Sequence, residues 1–258
     1  LKFLRDLPVH QRPELNAKGL AKASVLEEGD SESSLKTLIK NGVLESYTQL
    51  VDRIPEEAAE REASALSEAQ QVAMDQIKGH FESKQTVLLQ GITGAGKTEI
   101  YIKLIQEALG SGSQVLLLLP EIALTTQLVG RLKQVFGSSM GVYHSKYSDN
   151  ERVEVWNGVL NGRFSFVVGV RSSLFLPFDS LGLVIVDEEH EPSYKQFDPA
   201  PRYHARDAAI MLAYVHQART LLGSATPSFE SYFNAAQGKY GLVKLSERFG
   251  KASLPEYH

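Results

Sequence analysis

Two patterns of apolar and polar positions divide this chain. From about residue 66 onward, short apolar runs occur at Thr86–Gln90, Val115–Leu119, Phe166–Val170, Leu183–Asp187 and Thr220–Gly223. Longer stretches between them carry apolar residues three and four positions apart. A run that is apolar at consecutive positions suits a strand buried on both faces, whereas i, i+3, i+4 spacing gives a helix one apolar face. The pattern therefore predicts five strands over those runs, with helices near Lys97–Leu109, Thr125–Phe136, Asp149–Leu160 and Ala205–Gln217. Strands alternating with helices predict an α/β fold whose mainly parallel sheet is covered on both sides.

The first 55 residues read differently. A helix is expected over Ser31–Asn41, with Asp30 or Ser31 as cap, Glu32 in the first turn and Leu35, Leu38 and Ile39 on one face. Asn41-Gly42 is a stop signal, because glycine enters the left-handed conformation freely. A second helix near Gly19–Glu27 and a strand at Val43–Tyr47 complete a helix, turn, helix, strand order that suggests a small winged-helix-like module over 1–55. Residues 56–65 are acidic and small, and read as a linker. Residues 66–258 form the larger α/β domain.

Composition narrows the classes. Of 258 residues, 43% are hydrophobic and 22% charged, which excludes a wholly disordered chain. Twenty-seven basic against 31 acidic side chains give a net charge of −4, so any nucleic-acid binding must come from local patches rather than a global positive field. With no cysteine, a disulfide framework, a thiolate zinc site and thiol catalysis are excluded within these residues. No apolar run approaches the ~18 residues of a membrane-spanning helix, and the N-terminus lacks the marks of a signal peptide. Lacking an initiator Met, the sequence reads as a segment of a longer, cytoplasmic protein, without a membrane partner.

Gly91-Ile92-Thr93-Gly94-Ala95-Gly96-Lys97-Thr98 fits the phosphate-loop pattern G-x-x-x-x-G-K-[ST], between an expected strand and an expected helix. Its glycines let backbone N–H groups turn inward around phosphates, and the helix N-terminus adds its positive end. Lys97 is expected to reach the outer phosphates of ATP, and the Thr98 hydroxyl to ligate Mg²⁺. Thr93, Ala95 and Glu99 belong to the same expected nucleotide site.

Such a loop alone does not separate kinases, GTPases and motors. The second site decides. Leu183-Val184-Ile185-Val186-Asp187-Glu188-Glu189-His190 is an apolar strand ending in acids. A parallel strand delivers its carboxyl end to the ligand crevice. There Asp187 is expected to hold Mg²⁺, usually through water, and Glu188 to polarise the water that attacks the γ-phosphate.

At this point the chain resembles a family. Asp187-Glu188-Glu189-His190 is a DExH box, and Leu222-Gly223-Ser224-Ala225-Thr226-Pro227 looks like the Ser-Ala-Thr motif of superfamily 2 helicases. Segments 91–101, 120–127, 169–175, 187–196 and 202–207 together resemble the PriA-type helicases that restart bacterial replication forks. The resemblance runs from about Leu66 to the C-terminus. It implies a RecA-like motor lobe, preceded in that family by a winged helix, and an ATP-dependent 3′→5′ DNA helicase as the activity. It implies Gln70 as reader of adenine, His190 with Ser224 and Thr226 as links from the ATP site to strand movement, and Thr125, Arg171, Ser172 and Ser173 as contacts to the DNA backbone. Tyr194, Lys195, Phe197, Arg202, Tyr203, His204 and Arg206 mix aromatic and basic side chains directly after the box. That composition suits stacking on bases and gripping phosphates. Single-stranded and forked DNA, primosome proteins and single-strand-binding proteins are the partners implied. The family's second lobe with its arginine finger, its zinc-binding cysteines and its domain for the 3′ DNA end are expected outside this segment, leaving the isolated segment a poor ATPase. Rival readings are a superfamily 2 translocase that moves without unwinding, a small-molecule P-loop kinase, and a non-catalytic ATP-binding scaffold. The Ser-Ala-Thr motif speaks against the kinase, and Glu188 against the scaffold.

Overall fold

The computed structural model describes residues 32–44, 64–144 and 147–246. The chain divides into two compact units, Leu1–Val51 and Asp52–His258. In the first, helix α1 spans Glu32–Lys40. It ends as its sequence predicts. Gly42 has φ +69°, and the N–H groups of Gly42 and Val43 donate to the carbonyls of Ile39 and Leu38 at 3.1 and 3.0 Å. The helix expected at Gly19–Glu27, most of the strand expected at Val43–Tyr47, the winged-helix reading that rests on them, and most of the linker lie outside the described residues.

The second unit carries α2 (Glu68–Ser83), β1 (Thr86–Gly91), α3 (Lys97–Gly110), β2 (Gln114–Leu118), α4 (Thr126–Phe136), β3 (Met140–Tyr143), α5 (Asp149–Leu160), β4 (Phe166–Gly169), β5 (Leu181–Asp187), α6 (Ala205–Val215), β6 (Arg219–Ser224), α7 (Phe229–Ala236) and β7 (Gly241–Leu245). The seven strands form one parallel sheet in the order β3-β4-β2-β5-β6-β1-β7. This is the expected α/β architecture. Alternate residues of each central strand serve opposite faces. Val87 and Leu89, Val115 and Leu117, and Leu183 and Ile185 pack beneath α2, α3 and α4, with Met74, Ile77, Ile100 and Leu132. Leu88, Leu116, Leu118, Val184 and Val186 face the other way, with Val155, Ala209 and Ala235 of α5, α6 and α7. Each such Val, Leu, Ile or Met side chain contributes on the order of 1.5–3 kcal/mol on burial. That two-sided packing fixes the carboxyl ends of β5, β6 and β1 side by side. In register, Asp187 lies opposite Gly223, and Gln90 opposite Ser224.

Two strands and two helices lie outside the expected elements. β3 and β7 are the edge strands, and α2 and α7 are the two additional helices. Among the described residues, no helix is long and apolar enough to cross a membrane.

Candidate functional site

The loop between β1 and α3 is built from residues that keep side chains out of it. Gly94 and Gly96 have φ of +80° and +79°, and Gly96 caps α3 without any side-chain bond. The first N–H groups of α3 are therefore not claimed by a capping side chain. A Cβ at Gly91 would stand 3.1 Å from Cγ of Lys97. Thr93 and Gly94 are exposed, Thr98 half-buried.

Lys97 is 9% exposed, and a buried ammonium is stable only when paired. Its Nζ donates to the Gly91 carbonyl at 3.1 Å and lies 3.2 Å from Oε1 of Glu188. Glu188 itself turns the chain at the end of β5 with φ +45°. A non-glycine residue in that region costs on the order of 1–2 kcal/mol, and such strain gathers at functional sites. The neighbouring Asp187 accepts a hydrogen bond on Oδ1 from the Tyr101 hydroxyl at 2.8 Å. Burial raises its carboxyl above the ordinary range and Glu188 adds to the rise, while the Tyr101 bond and Lys97 oppose it. Burial likewise lifts the Tyr101 hydroxyl well above its usual value, so it stays a donor.

Gly223 leaves room for this contact. A Cβ there would lie 1.8 Å from Tyr101 Oη and 3.3 Å from Asp187 Oδ1. Gly223→Ala is therefore expected to push Tyr101 off Asp187 and destabilise the domain by about 1–3 kcal/mol, the usual cost of overpacking. Thermal unfolding checks it, and Tyr101→Phe should recover part of the loss in the double variant. An unchanged midpoint would show that the site relaxes freely.

His190 joins the box to β6. Its Nδ1 is 2.8 Å from Oγ of Ser224, and its Nε2 is 3.4 Å from Oγ1 of Thr226. Ser224 Oγ already accepts from the Thr226 N–H at 3.0 Å. In one tautomer Ser224 donates to Nδ1 and the Nε2 proton is directed at Thr226; in the other Nδ1–H donates to Ser224.

Several expected site residues are placed otherwise. Gln70 is 1% exposed: its amide donates to the carbonyls of Ala95 and Gly96 at 3.1 and 3.4 Å, and its oxygen accepts from the Ser67 N–H at 2.9 Å in a capping box. Here it braces the phosphate loop instead of facing open space where adenine would be read. Glu99 is buried and paired with Arg131 of α4. Ser173, expected on the DNA backbone, is fully buried in the short turn Arg171–Phe175, and its hydroxyl donates to the Val170 carbonyl at 2.6 Å. Tyr194, expected to stack on bases, is 1% exposed, with its hydroxyl on the carbonyls of Asp187 and Leu118 at 2.7 and 3.1 Å. In both, the polar tip meets backbone carbonyls in the interior.

The remaining expected contacts stay near the surface. Thr125 is exposed and caps α4, accepting from the Leu128 N–H at 3.3 Å. Arg171 donates to the Ser193 carbonyl at 2.9 Å, and Tyr203 donates to the Arg171 carbonyl at 3.3 Å while meeting Phe175 edge-on at 5.3 Å. Ser172 is half-buried. Lys195 bridges His204 in an antiparallel stem, closed further by Gln196 N–H on the Tyr203 carbonyl at 2.9 Å. The stem holds out Phe197, 69% exposed, and Arg202 is also exposed.

Glu189 is a residue of the box to which sequence reasoning assigns no role. This third residue of the box is fully buried, hydrogen-bonded to Arg206, Ser228 and Ser231. The sequence carries one signal for it. Ser228 follows Pro227 at a helix start, where a serine caps and draws charged partners.

Thr98 and Asp187 suit an Mg²⁺ ion, which takes one or two protein groups and fills its shell from phosphates and water. Burial raises the Asp187 carboxyl, and a cation beside it would act in the opposite direction. Among the described residues, no group of three or more His, Asp or Glu side chains is arranged to hold a metal by itself.

Residues 67–234 match the family model described as DEAD/DEAH box helicase. The chain is 49% identical over 189 residues to the replication restart protein PriA of Chlamydia pneumoniae, covering 72% of this chain and 25% of that one. It is 41% identical over 231 residues to the protein of that name from Bacillus subtilis, covering 88% and 29%. The chain thus spans between a quarter and a third of these curated relatives. Among solved structures, RecG bound to a three-way DNA junction matches with a TM-score of 0.55 at 22% identity, over 87% of this chain and 27% of that one. Mycobacterium smegmatis Lhr bound to single-stranded DNA and AMP-PNP matches with a TM-score of 0.51 at 20% identity, over 71% and 26%. At such identities the likeness speaks to the fold.

Proposed function

The chain belongs to the DEAD/DEAH box helicase family, and from that premise we propose that residues 66–258 are the first motor lobe of a PriA-type replication-restart helicase, an ATP-dependent enzyme that moves 3′→5′ along DNA. One observation carries the reading above the others. Lys97 at the start of α3 stands 3.2 Å from Glu188 at the end of β5, beside Asp187, and His190 ties the box to Ser224 at the end of β6 and to Thr226 just beyond it. A kinase has no use for that tie, and a scaffold has none for Glu188.

The proposed roles follow from the contacts. The α3 amides and Lys97 bind the ATP phosphates, and Gln70 keeps the loop in shape from behind. Mg²⁺, when bound, neutralises charge between the phosphates; Thr98 and Asp187 are the residues that would hold it, with Tyr101 orienting Asp187. Lys97 cannot serve Glu188 and a phosphate equally, so phosphate binding releases Glu188 to accept a proton from the attacking water. Exposed Thr125, Phe197 and Arg202, with half-buried Arg171 and Ser172, are the proposed DNA contacts, with forked and single-stranded DNA as partners. Assembly with primosome and single-strand-binding proteins is proposed from the likeness to PriA.

The test is ATP hydrolysis by the full-length protein with and without forked DNA. DNA-stimulated turnover and ATP-dependent unwinding are expected. Turnover that ignores DNA would return the reading to a nucleic-acid-independent P-loop enzyme.

A further inference from the structure

Glu189 is a carboxylate with no exposure at all, beside the residue that would activate water. A buried charge persists only when its oxygens are fully served. Here they are. Oε1 accepts from the Ser228 N–H at 2.6 Å, and Oε2 accepts from the Ser228 hydroxyl at 3.0 Å, the Ser231 hydroxyl at 2.9 Å and Nη1 of Arg206 at 3.1 Å. The backbone N–H of Glu189 meanwhile donates to the Gly223 carbonyl at 3.1 Å. Three elements therefore converge on one side chain: the box after β5, the start of α6 through Arg206, and the start of α7 through Ser228 and Ser231.

Arg206 is equally committed. It is 7% exposed, and its guanidinium serves Glu189, the Ser228 hydroxyl at 2.6 Å and Asp207 at 2.8 Å. Its Nε and Nη1 are spent within the protein, which leaves little of the buried guanidinium for a DNA phosphate, the role that its place among aromatic and basic residues suggests. That same place along the chain gives it another role. It follows the stem-closing residue His204 by two positions, so displacement of the Phe197 loop reaches Arg206 through the first turn of α6. On the other side, Ser228 follows the Ser-Ala-Thr segment by two positions.

We infer that Glu189, with Arg206 as its counter-charge, is the positioning residue that carries movement of the aromatic loop and of the Ser-Ala-Thr segment to Glu188. The inference rests on the helicase reading above and adds a route within it. Coupling needs a contiguous element with two arrangements. A charged, hydrogen-bonded hub satisfies this better than apolar packing, because its bonds exist in one geometry or break.

The experiment uses the full-length protein, with Glu189→Gln, Ser231→Ala and the double variant Glu189→Gln with Arg206→Met. Gln keeps an acceptor for the Ser228 N–H but turns an NH₂ toward Arg206 and the hydroxyls. The double variant removes both charges together, so that neither is left buried and alone, which protects folding if Glu189→Gln alone does not fold. Turnover is measured at saturating ATP with no DNA and with saturating forked DNA, alongside KM for ATP and the thermal midpoint. The expected result is a ratio of stimulated to unstimulated turnover that falls by about tenfold or more in both Glu189 variants, and less in Ser231→Ala, with KM for ATP near wild type. A lowered midpoint with the stimulation ratio intact would reduce Glu189 to a fold-stabilising group and overturn the inference. Wild-type protein whose turnover ignores DNA would instead overturn the helicase reading itself, so the two failures are told apart by the wild-type control.

Discussion

Glu188→Gln in the full-length protein is expected to lower ATP turnover by about 10²–10⁴-fold, the usual range for losing a positioned proton acceptor, while ATP binds as tightly as before or a few-fold more tightly. The direction of the binding change comes from the contacts that Lys97 makes within the chain. Its Nζ stands 3.2 Å from Glu188 Oε1 in a site where Lys97 is 9% exposed, so an incoming phosphate must displace a carboxylate from its ammonium. Glutamine competes for Lys97 without a charge, so the phosphate displaces less. Lys97→Ala should do the opposite. It removes a charge-assisted contact of about 1.5–3 kcal/mol, or roughly tenfold to a hundredfold in ATP affinity. Equilibrium binding of a fluorescent ATP analogue and steady-state turnover separate the two. Weaker nucleotide binding in Glu188→Gln would mean that the pair supports the loop's shape instead of occupying the phosphate position.

The parts of this site that lie in unbroken sequence are legible from the sequence alone. The phosphate loop needs eight consecutive residues, and the acids at the end of β5 follow an apolar run that suits only a doubly buried strand. The central strands are legible for the same reason. The edge strands β3 and β7 are not: Met140–Tyr143 has four residues, and an edge strand needs no run that is apolar on both faces. Roles that depend on the folded environment depart from expectation in a consistent direction. Gln70, Glu99, Ser173, Tyr194 and Arg206 carry polar groups in or next to functional motifs, where a ligand-facing role is the natural expectation. In the folded chain each is buried and spends its polar atoms on the protein. One partner of Gln70 lies 25 residues away, and one partner of Tyr194 lies 76 residues away. No local pattern announces such a pairing. Phe197 is the opposite case, since its exposure follows from a stem that the sequence hints at through Pro199-Ala200-Pro201, which no helix could span.

Phe197→Ala is expected to remove most of the DNA stimulation of turnover, even at DNA concentrations that saturate binding. By sequence, the loop offers a broad aromatic and basic surface. The structure narrows it to one large exposed ring, because Tyr194 is an interior anchor and Tyr203 is engaged with Arg171 and Phe175 at the base. Stacking a base on that ring is worth about 1–3 kcal/mol, enough to shift a two-position loop by roughly 5- to 150-fold. The stem transmits the shift because it is short and bonded across, through the Lys195 to His204 bridge and the Gln196 to Tyr203 hydrogen bond. At its N-terminal end it begins from Tyr194, whose hydroxyl holds the carbonyl of Asp187 at 2.7 Å, one residue before Glu188. A loop that only gripped DNA would behave differently: Phe197→Ala would raise the DNA concentration needed for half-maximal turnover and leave the maximum untouched. Titrating forked DNA against ATP turnover distinguishes the two, with a lowered plateau as the expected outcome. Tyr194→Phe adds an internal check, since it deletes the hydroxyl at the foot of the stem while leaving Phe197 free to stack. It should lower the plateau as well, without changing the DNA concentration at half-maximum, and a shift in that concentration instead would place the transmission elsewhere.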